Sequence, residues 1–337
     1  MTDHHVPFSD LLKRWSVQPE TPALWLNTED SGVFSAMGLT PSEHQHCHFH
    51  YAAHQQHVAL GISTLAFATR PTQPLSTVIW QWPKAKAEAD MILAWLQSEM
   101  AATSDLWLAG HNRGGIRSAQ AFLSDRGWSN QIIGKAKHCA LLRAQPPQAR
   151  QRFDLNDYWQ VTPIGDQQQW SLPGTFSHGR IDQGSALLLP YLHRLKGPVL
   201  DFGCGSGLLS LVAQASQPTL KITAIDHHWL SILSTQETAR RNGLTWQIIW
   251  HDGIPAGRWQ TIISNPPFHN GLNVQYEVTQ RLLQQAELAL PRGGTLWLVV
   301  NDHLPYGDWL KAHTDSAKEM QHARGYRVWQ AQLNGRG

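Results

Sequence analysis

The residues with the most chemistry to offer sit together as Asn265-Pro266-Pro267-Phe268, at the end of the apolar run Trp259–Asn265. Two consecutive prolines fix the backbone and remove two N–H donors, so carbonyl oxygens face the site without competing donors. An amino nitrogen attached to a heterocycle is a poor nucleophile, because its lone pair is delocalised into the ring. The side-chain oxygen of Asn265 and the backbone oxygen of Pro266 can accept its two hydrogens. That holds the nitrogen in line with a sulfonium methyl and stabilises the positive charge that develops. Phe268 offers a face on which a flipped-out base can stack. The plainer reading of any Pro-Pro pair is a rigid turn after a buried strand, and the motifs upstream weigh against it.

After PVLDF (198–202) comes Gly203-Cys204-Gly205-Ser206-Gly207, then the helical run LLSLVAQA. Glycines at this spacing let the backbone turn sharply and approach a ligand lying over a helix N-terminus. The GxGxG spacing lacks the further two-residue step of dinucleotide enzymes, which tilts the choice away from NAD. Asp201 can accept from the loop or from a cationic amino group. Asp226 closes the second strand, where a carboxylate can take both ribose hydroxyls of an adenosine. Asp252 closes the third and can accept from an adenine amino group. One such aspartate would read as a helix cap. Three at successive strand ends, beside a glycine loop, favour a nucleoside pocket. Cys204 reads as a small loop residue and not as a nucleophile.

Positioning these groups requires alternating strands and helices. Strands are predicted at Pro198–Phe202, Lys221–Asp226, Trp246–Asp252, Trp259–Asn265, Thr295–Val300 and Tyr326–Leu333. Helical spacing marks Trp229–Asn242 and Val274–Leu290. This alternation predicts an α/β fold with a mostly parallel sheet covered on both faces. The N-terminal half repeats the plan faintly. ALWLN (23–27) matches the strand at Val199–Phe202, TVIWQW (77–82) matches TIISN (261–265), and DLWLA (105–109) matches Thr295–Val299. A duplicated domain and a chance likeness of short apolar strands both account for this. The Pro-, Gln- and Asp-rich stretch from Gln145 to Gln169 is the expected linker, giving domains at 1–155 and 156–337.

At 337 residues the chain can bury two cores. With 42% apolar and 15% charged residues it reads as globular and not disordered. No run approaches the roughly 18 apolar residues of a membrane span. The N-terminus lacks the apolar core of a signal peptide, so a cytoplasmic protein that meets no membrane is expected. Three cysteines without paired spacing (Cys47, Cys139, Cys204) predict reduced thiols. A net charge of only +2 means that any RNA contact must use a local patch or a shaped pocket.

On these residues the chain resembles the bacterial 16S rRNA guanine-N2 methyltransferases of the small ribosomal subunit, the RsmC type. The likeness covers nearly the whole chain. It rests on VLDFGCGSGLLS (199–210), IISNPPFHNG (262–271), GGTLWLVVN (293–301) and LPY (304–306), on PGTFSHGRIDQGSALLL (173–189), and on WQWPKAKAE (80–88) and GHNRGGIRSA (110–119). The resemblance implies two tandem Rossmann-like, class I methyltransferase-type domains. The N-terminal one would be a degenerate copy serving RNA recognition and support. It implies S-adenosyl-L-methionine as cofactor and 16S rRNA within the 30S subunit as partner, with the protein a monomer. Asp201, Gly203, Cys204, Gly205 and Gly207 fall in the family's cofactor loop, Asp226 at its ribose position, and Asn265, Pro266 and Phe268 in its catalytic tetrapeptide. His227-His228-Trp229 is bulkier than the family pattern after the ribose aspartate.

Other readings stay open on the sequence. Adenine-N6 and protein-glutamine methyltransferases use the same Asn-Pro-Pro logic, and a non-catalytic RNA-binding assembly factor could retain the pocket. His44, His46, His48 and His50 alternate, with Cys47, His54 and His57 nearby, but their spacing matches no standard zinc site. Surface or partly buried histidines are the expectation, with no metal. Lys84, Lys86, Arg113, Arg117, Lys135 and Lys137 fit an RNA-facing patch or an ordinary solvated face equally well.

Overall fold

The computed structural model describes residues 6–266, 272–302 and 305–334, and the chain divides into two compact units, Met1–Tyr158 and Trp159–Gly337. The first unit contains strands β1 (Ala23–Leu26), β2 (Gln45–Cys47), β3 (Ser63–Thr64), β4 (Leu75–Gln81), β5 (Met100–His111), β6 (Ser129–Ala136) and β7 (Cys139–Gln145). Its helices are α1 (Phe8–Arg14), α2 (Val33–Met37), α3 (Tyr51–Ala59), α4 (Lys86–Glu99) and α5 (Ala119–Ser124). The second unit opens with a hairpin, β8 (Gln160–Ile164) and β9 (Gln167–Ser171). It continues through β10 (Val199–Phe202), β11 (Ile222–Asp226), β12 (Gln247–Trp250), β13 (Thr261–Ser264), β14 (Arg292–Asn301), β15 (Ser316–Ala323) and β16 (Tyr326–Asn334). Its helices are α6 (Gln183–Leu188), α7 (Leu208–Ser216), α8 (Trp229–Arg241), α9 (Leu272–Ala289) and α10 (Tyr306–His313).

The two sheets have one strand order. Among the described residues the first runs β3-β2-β1-β4-β5-β7-β6 and the second β12-β11-β10-β13-β14-β16-β15. In both, only the last two strands in that order join antiparallel. Even the register agrees. Ala23 aligns with Thr77 and Thr77 with Asp105, as Val199 aligns with Thr261 and Thr261 with Thr295. The segments paired in the sequence therefore occupy equivalent places in their sheets, which favours duplication over chance.

Burial on both faces explains why the second unit's strands are apolar without alternation. Leu200, Ile262, Leu296 and Leu298 pack with Leu282, Leu283 and Ala286 of α9. Their neighbours Val199, Ile263, Trp297 and Val299 pack with Leu188 of α6 and Leu209 and Ala213 of α7. In the first unit Trp25, Ile79, Ala109 and Leu141 close a core under α1 and α2.

Three expectations need correcting. The stretch 145–169 is only partly a connection. Its second half forms β8 and the start of β9, and this hairpin is pinned to α8 by Thr238 Oγ1, which accepts from the Trp170 N–H at 2.9 Å, and by Asn242 Oδ1, which accepts from the Gln168 N–H at 3.1 Å. The third strand ends at Trp250, so Asp252 stands two residues past it. The histidines are core residues: His44, His46, His48 and His57 are all buried. Rings of His46, His48 and His57 lie 4.1–5.5 Å apart between centroids, and among the described residues no group of three or more His, Cys, Asp or Glu is arranged to hold a metal.

Candidate active site

The second sheet reverses its direction of growth between β10 and β13, with β11 and β12 on one side and β14 on the other. Open α/β sheets bind ligands at the carboxyl ends of strands at such a switch point. Here β10 delivers the glycine loop and β13 delivers Asn265, with Phe202 in register with Ser264. The two motifs, more than fifty residues apart in sequence, are neighbours because their strands pair.

Asp201 is fully buried at the end of β10. Its Oδ2 accepts from the Ser210 hydroxyl at 2.7 Å and the Ser210 N–H at 3.2 Å, which ties the strand to α7. Burial pushes its carboxyl up to about 7, against the lowering effect of the Ser210 bonds. The other oxygen, Oδ1, is buried with no protein partner. Gly203 and Gly205 have positive φ, and a Cβ at either would meet nothing within 4 Å. The loop is an open cradle, shaped by backbone angles that residues with a Cβ adopt only with strain. Gly207 also has positive φ, and a Cβ there would come within 3.0 Å of the Trp246 ring.

Asp226 ends β11 and organises the same loop from the side. Its Oδ2 accepts from the Gly205 N–H at 2.9 Å and its Oδ1 from the His228 N–H at 2.8 Å. Burial raises its pKa, opposed by the neighbouring His227 and by the backbone donors. The Cys204 sulfur lies 3.3 Å from the Thr235 hydroxyl, and burial holds its thiol well above the ordinary value. A protonated, enclosed thiol is no nucleophile.

Asn265 follows β13, and its amide is held at one end. Nδ2 donates to Asp182 Oδ2 at 3.0 Å and to Ser185 Oγ at 2.7 Å, whereas Oδ1 is buried without a protein partner. Pro266, the next residue, is buried. The loop and Asn265 line one open cleft of about 390 Å³, solvent space included, together with Gln169, Arg180, Asp182 and Ser185.

Of the residues singled out in the sequence, Gly203, Cys204, Gly205 and Asn265 line this cleft. Asp201 and Gly207 are not among its lining residues, and Asp226 bonds its loop. Asp252 is not among the described lining residues. Its carboxylate is 3.9 Å from Arg281. Pro267 and Phe268 lie outside the described residues. Asp182 and Ser185 were missed as site residues. The visible signal was an Asp followed three residues later by Ser at the start of an apolar run, a helix start, and Asp182 does cap α6 by accepting from the Ser185 N–H.

The strand order, the glycine loop leading into α7 and Asn265 at the end of β13 beside the switch point define a class I methyltransferase-type domain. Residues 167–330 match the family model described as methyltransferase small domain, and residues 9–161 match its N-terminal companion, methyltransferase small domain N-terminal. The chain belongs to the ribosomal RNA small subunit methyltransferase C family. It is 38% identical over 274 residues to the protein of that name from Pseudomonas paraeruginosa, covering 79% of this chain and 82% of that one. The relative of the same name from Alcanivorax borkumensis is 35% identical, with 79% and 85% covered. The solved structure of the Thermus thermophilus 16S rRNA N2 G1207 methyltransferase, in complex with AdoMet and guanosine, is 23% identical. It superposes with a TM-score of 0.81 over 97% of this chain and 92% of that one, which shows the shared fold of both units.

Proposed function

We propose that this chain transfers a methyl group from S-adenosyl-L-methionine to the exocyclic N2 of a guanine in 16S rRNA, on the small ribosomal subunit. The observation that carries the reading is the buried, unpartnered Oδ1 of Asn265 on a cleft it shares with the glycine loop. Relatives named for methylation of small-subunit RNA support it. So does the guanine, G1207, named for the Thermus thermophilus protein, and the same position is the target proposed here.

The residues fit the cofactor on three counts. The Gly203–Gly205 cradle is open, Asp201 keeps a buried acceptor free for a cationic amino group, and Asp226 stands at the end of the adjacent strand, where ribose hydroxyls are taken. Bound there, S-adenosylmethionine supplies an electrophilic methyl on a sulfonium. The protein's part is orientation and charge. Asn265 Oδ1 and the Pro266 carbonyl accept the two hydrogens of the guanine amino group, aim its nitrogen, and offset the positive charge that grows as the N–C bond forms. Phe268 stacks the base. Asp252 accepts from the adenine amino group.

The first unit carries Asn27-Thr28-Glu29-Asp30-Ser31 after β1 where the second has Gly203–Gly207, and Gln81-Trp82-Pro83 where the second has Asn265-Pro266-Pro267. Its role is RNA recognition and support of the catalytic unit, the domains dividing near residue 155. The protein works as a cytoplasmic monomer, and no helix among the described residues is long and apolar enough to cross a membrane. Nucleoside mass analysis of 16S rRNA from a strain lacking the gene tests the function. One N2-methylguanosine should be lost and should return on complementation. Unchanged N2-methylguanosine refutes it.

A further inference from the structure

The Asn265 amide is built with a fixed polarity. A side-chain amide can present either its oxygen or its NH2 to a ligand, and rotation by half a turn exchanges them. Only the oxygen can serve an amino substrate, because an NH2 facing an NH2 is a clash of donors. Something must therefore decide which end faces the cleft.

We propose that Asp182 and Ser185 are positioning residues that lock Asn265 with its acceptor toward the substrate, and so confine the site to nitrogens that carry hydrogens. Two distances, 3.0 Å from Nδ2 to Asp182 Oδ2 and 2.7 Å to Ser185 Oγ, satisfy both hydrogens of the amide. A carboxylate has no hydrogen to give, so an inverted Asn265 would set Oδ1 against Asp182 and lose the bond. The clamp is itself held. Asp182 caps α6 through the Ser185 N–H at 2.9 Å, and Ser185 is buried. Gly184, between them, lets the Tyr326 ring of β16 press on the turn, at 2.9 Å from where a Cβ would stand. The 182–185 segment is thus packed against β16 as well as bonded to Asn265. With both its hydrogens used, Asn265 has nothing left to donate, and its one free group is the buried oxygen.

This inference rests on the proposed methylation of an exocyclic amine, and the test separates the two. Single-turnover methyl transfer to 30S subunits is measured for Asn265→Ala, Asp182→Asn, Ser185→Ala and the double variant Asp182→Asn/Asn265→Asp. S-adenosylmethionine and guanosine affinities are measured separately by calorimetry. Asparagine caps helices as well as aspartate, so Asp182→Asn keeps the turn but gives the clamp a hydrogen to donate and frees Asn265 to invert. It should slow transfer about tenfold or more and weaken guanosine binding, with cofactor affinity unchanged. In the double variant the donor sits on residue 182 and the acceptor-only group on 265, so transfer should recover at least severalfold over Asp182→Asn. Ser185→Ala removes one of two acceptors and should slow transfer severalfold, which keeps the test decisive should Asp182→Asn fail to fold. Asp182→Asn with a wild-type rate, or a double variant no faster than Asp182→Asn alone, overturns the clamp while a slow Asn265→Ala leaves the function standing. A near-normal Asn265→Ala overturns the functional reading itself.

Discussion

Binding and chemistry are assigned to different residues of one cleft, and substitutions should separate them. Asn265→Ala removes the acceptor needed most when the guanine nitrogen gains positive charge. It should lower single-turnover methyl transfer by roughly a hundredfold, the usual effect of losing one preorganised polar group. Cofactor affinity, measured by calorimetry, should stay within a few-fold, and near-normal turnover at saturating substrate would defeat the role. Asp226→Ala should do the reverse. It leaves ribose hydroxyls unpaired in a partly dry pocket and releases the Gly205 N–H it now holds, so affinity should fall by about 1–3 kcal/mol. Undiminished binding in a folded variant would remove Asp226 from the cofactor site. Asn265 and the glycines were legible from sequence because their chemistry is local to a short motif. The clamp was not: Asp182 and Asn265 are 83 positions apart, and only the fold brings the cap of α6 against the end of β13.

At the scale of elements, β2 and α3 carry an acid-labile core. Burial holds the pKa of His44, His46, His48, His54 and His57 below the ordinary value, His46 down to about 3, with neighbouring histidines adding to the effect at His46 and His48. A histidine depressed in the folded state takes up its proton on unfolding, so it favours the fold fully above about pH 6.5 and progressively less as pH falls below that. Buried Glu88 on α4, raised to about 8, works the other way, and its contribution fades as pH rises from about 4.5 to 8. Five histidines outweigh one glutamate on the acid side. Amide hydrogen exchange over residues 44–64 should accelerate between pH 7 and 5, beyond the intrinsic pH trend, and a flat profile would contradict the buried neutral cluster. Alternation at 44, 46 and 48 puts His44, His46 and His48 on one side of an extended segment, but only packing shows that this is the core side. β15 escaped for the opposite reason. SAKEMQHA is an edge strand, half exposed along its length, with no apolar run to announce it. The hairpin β8–β9 hid in Gln-rich sequence whose fixed partners lie on α8. The parallel strands were legible because burial on both faces makes them continuously apolar.

For the whole molecule, one α/β plan is used twice, with matching strand order and register, and only the second copy carries the Gly203–Gly207 loop and the Asn-Pro-Pro sequence. The second unit is proposed to methylate an exocyclic guanine nitrogen of 16S rRNA. The most direct test supplies the full-length protein with methyl-labelled S-adenosylmethionine and 30S subunits that lack the modification, then identifies the labelled nucleoside by mass after digestion. Label should appear in N2-methylguanosine alone, approaching one methyl per subunit. Label in N6-methyladenosine or in ribosomal protein, or no transfer by a protein that binds the cofactor, would contradict it.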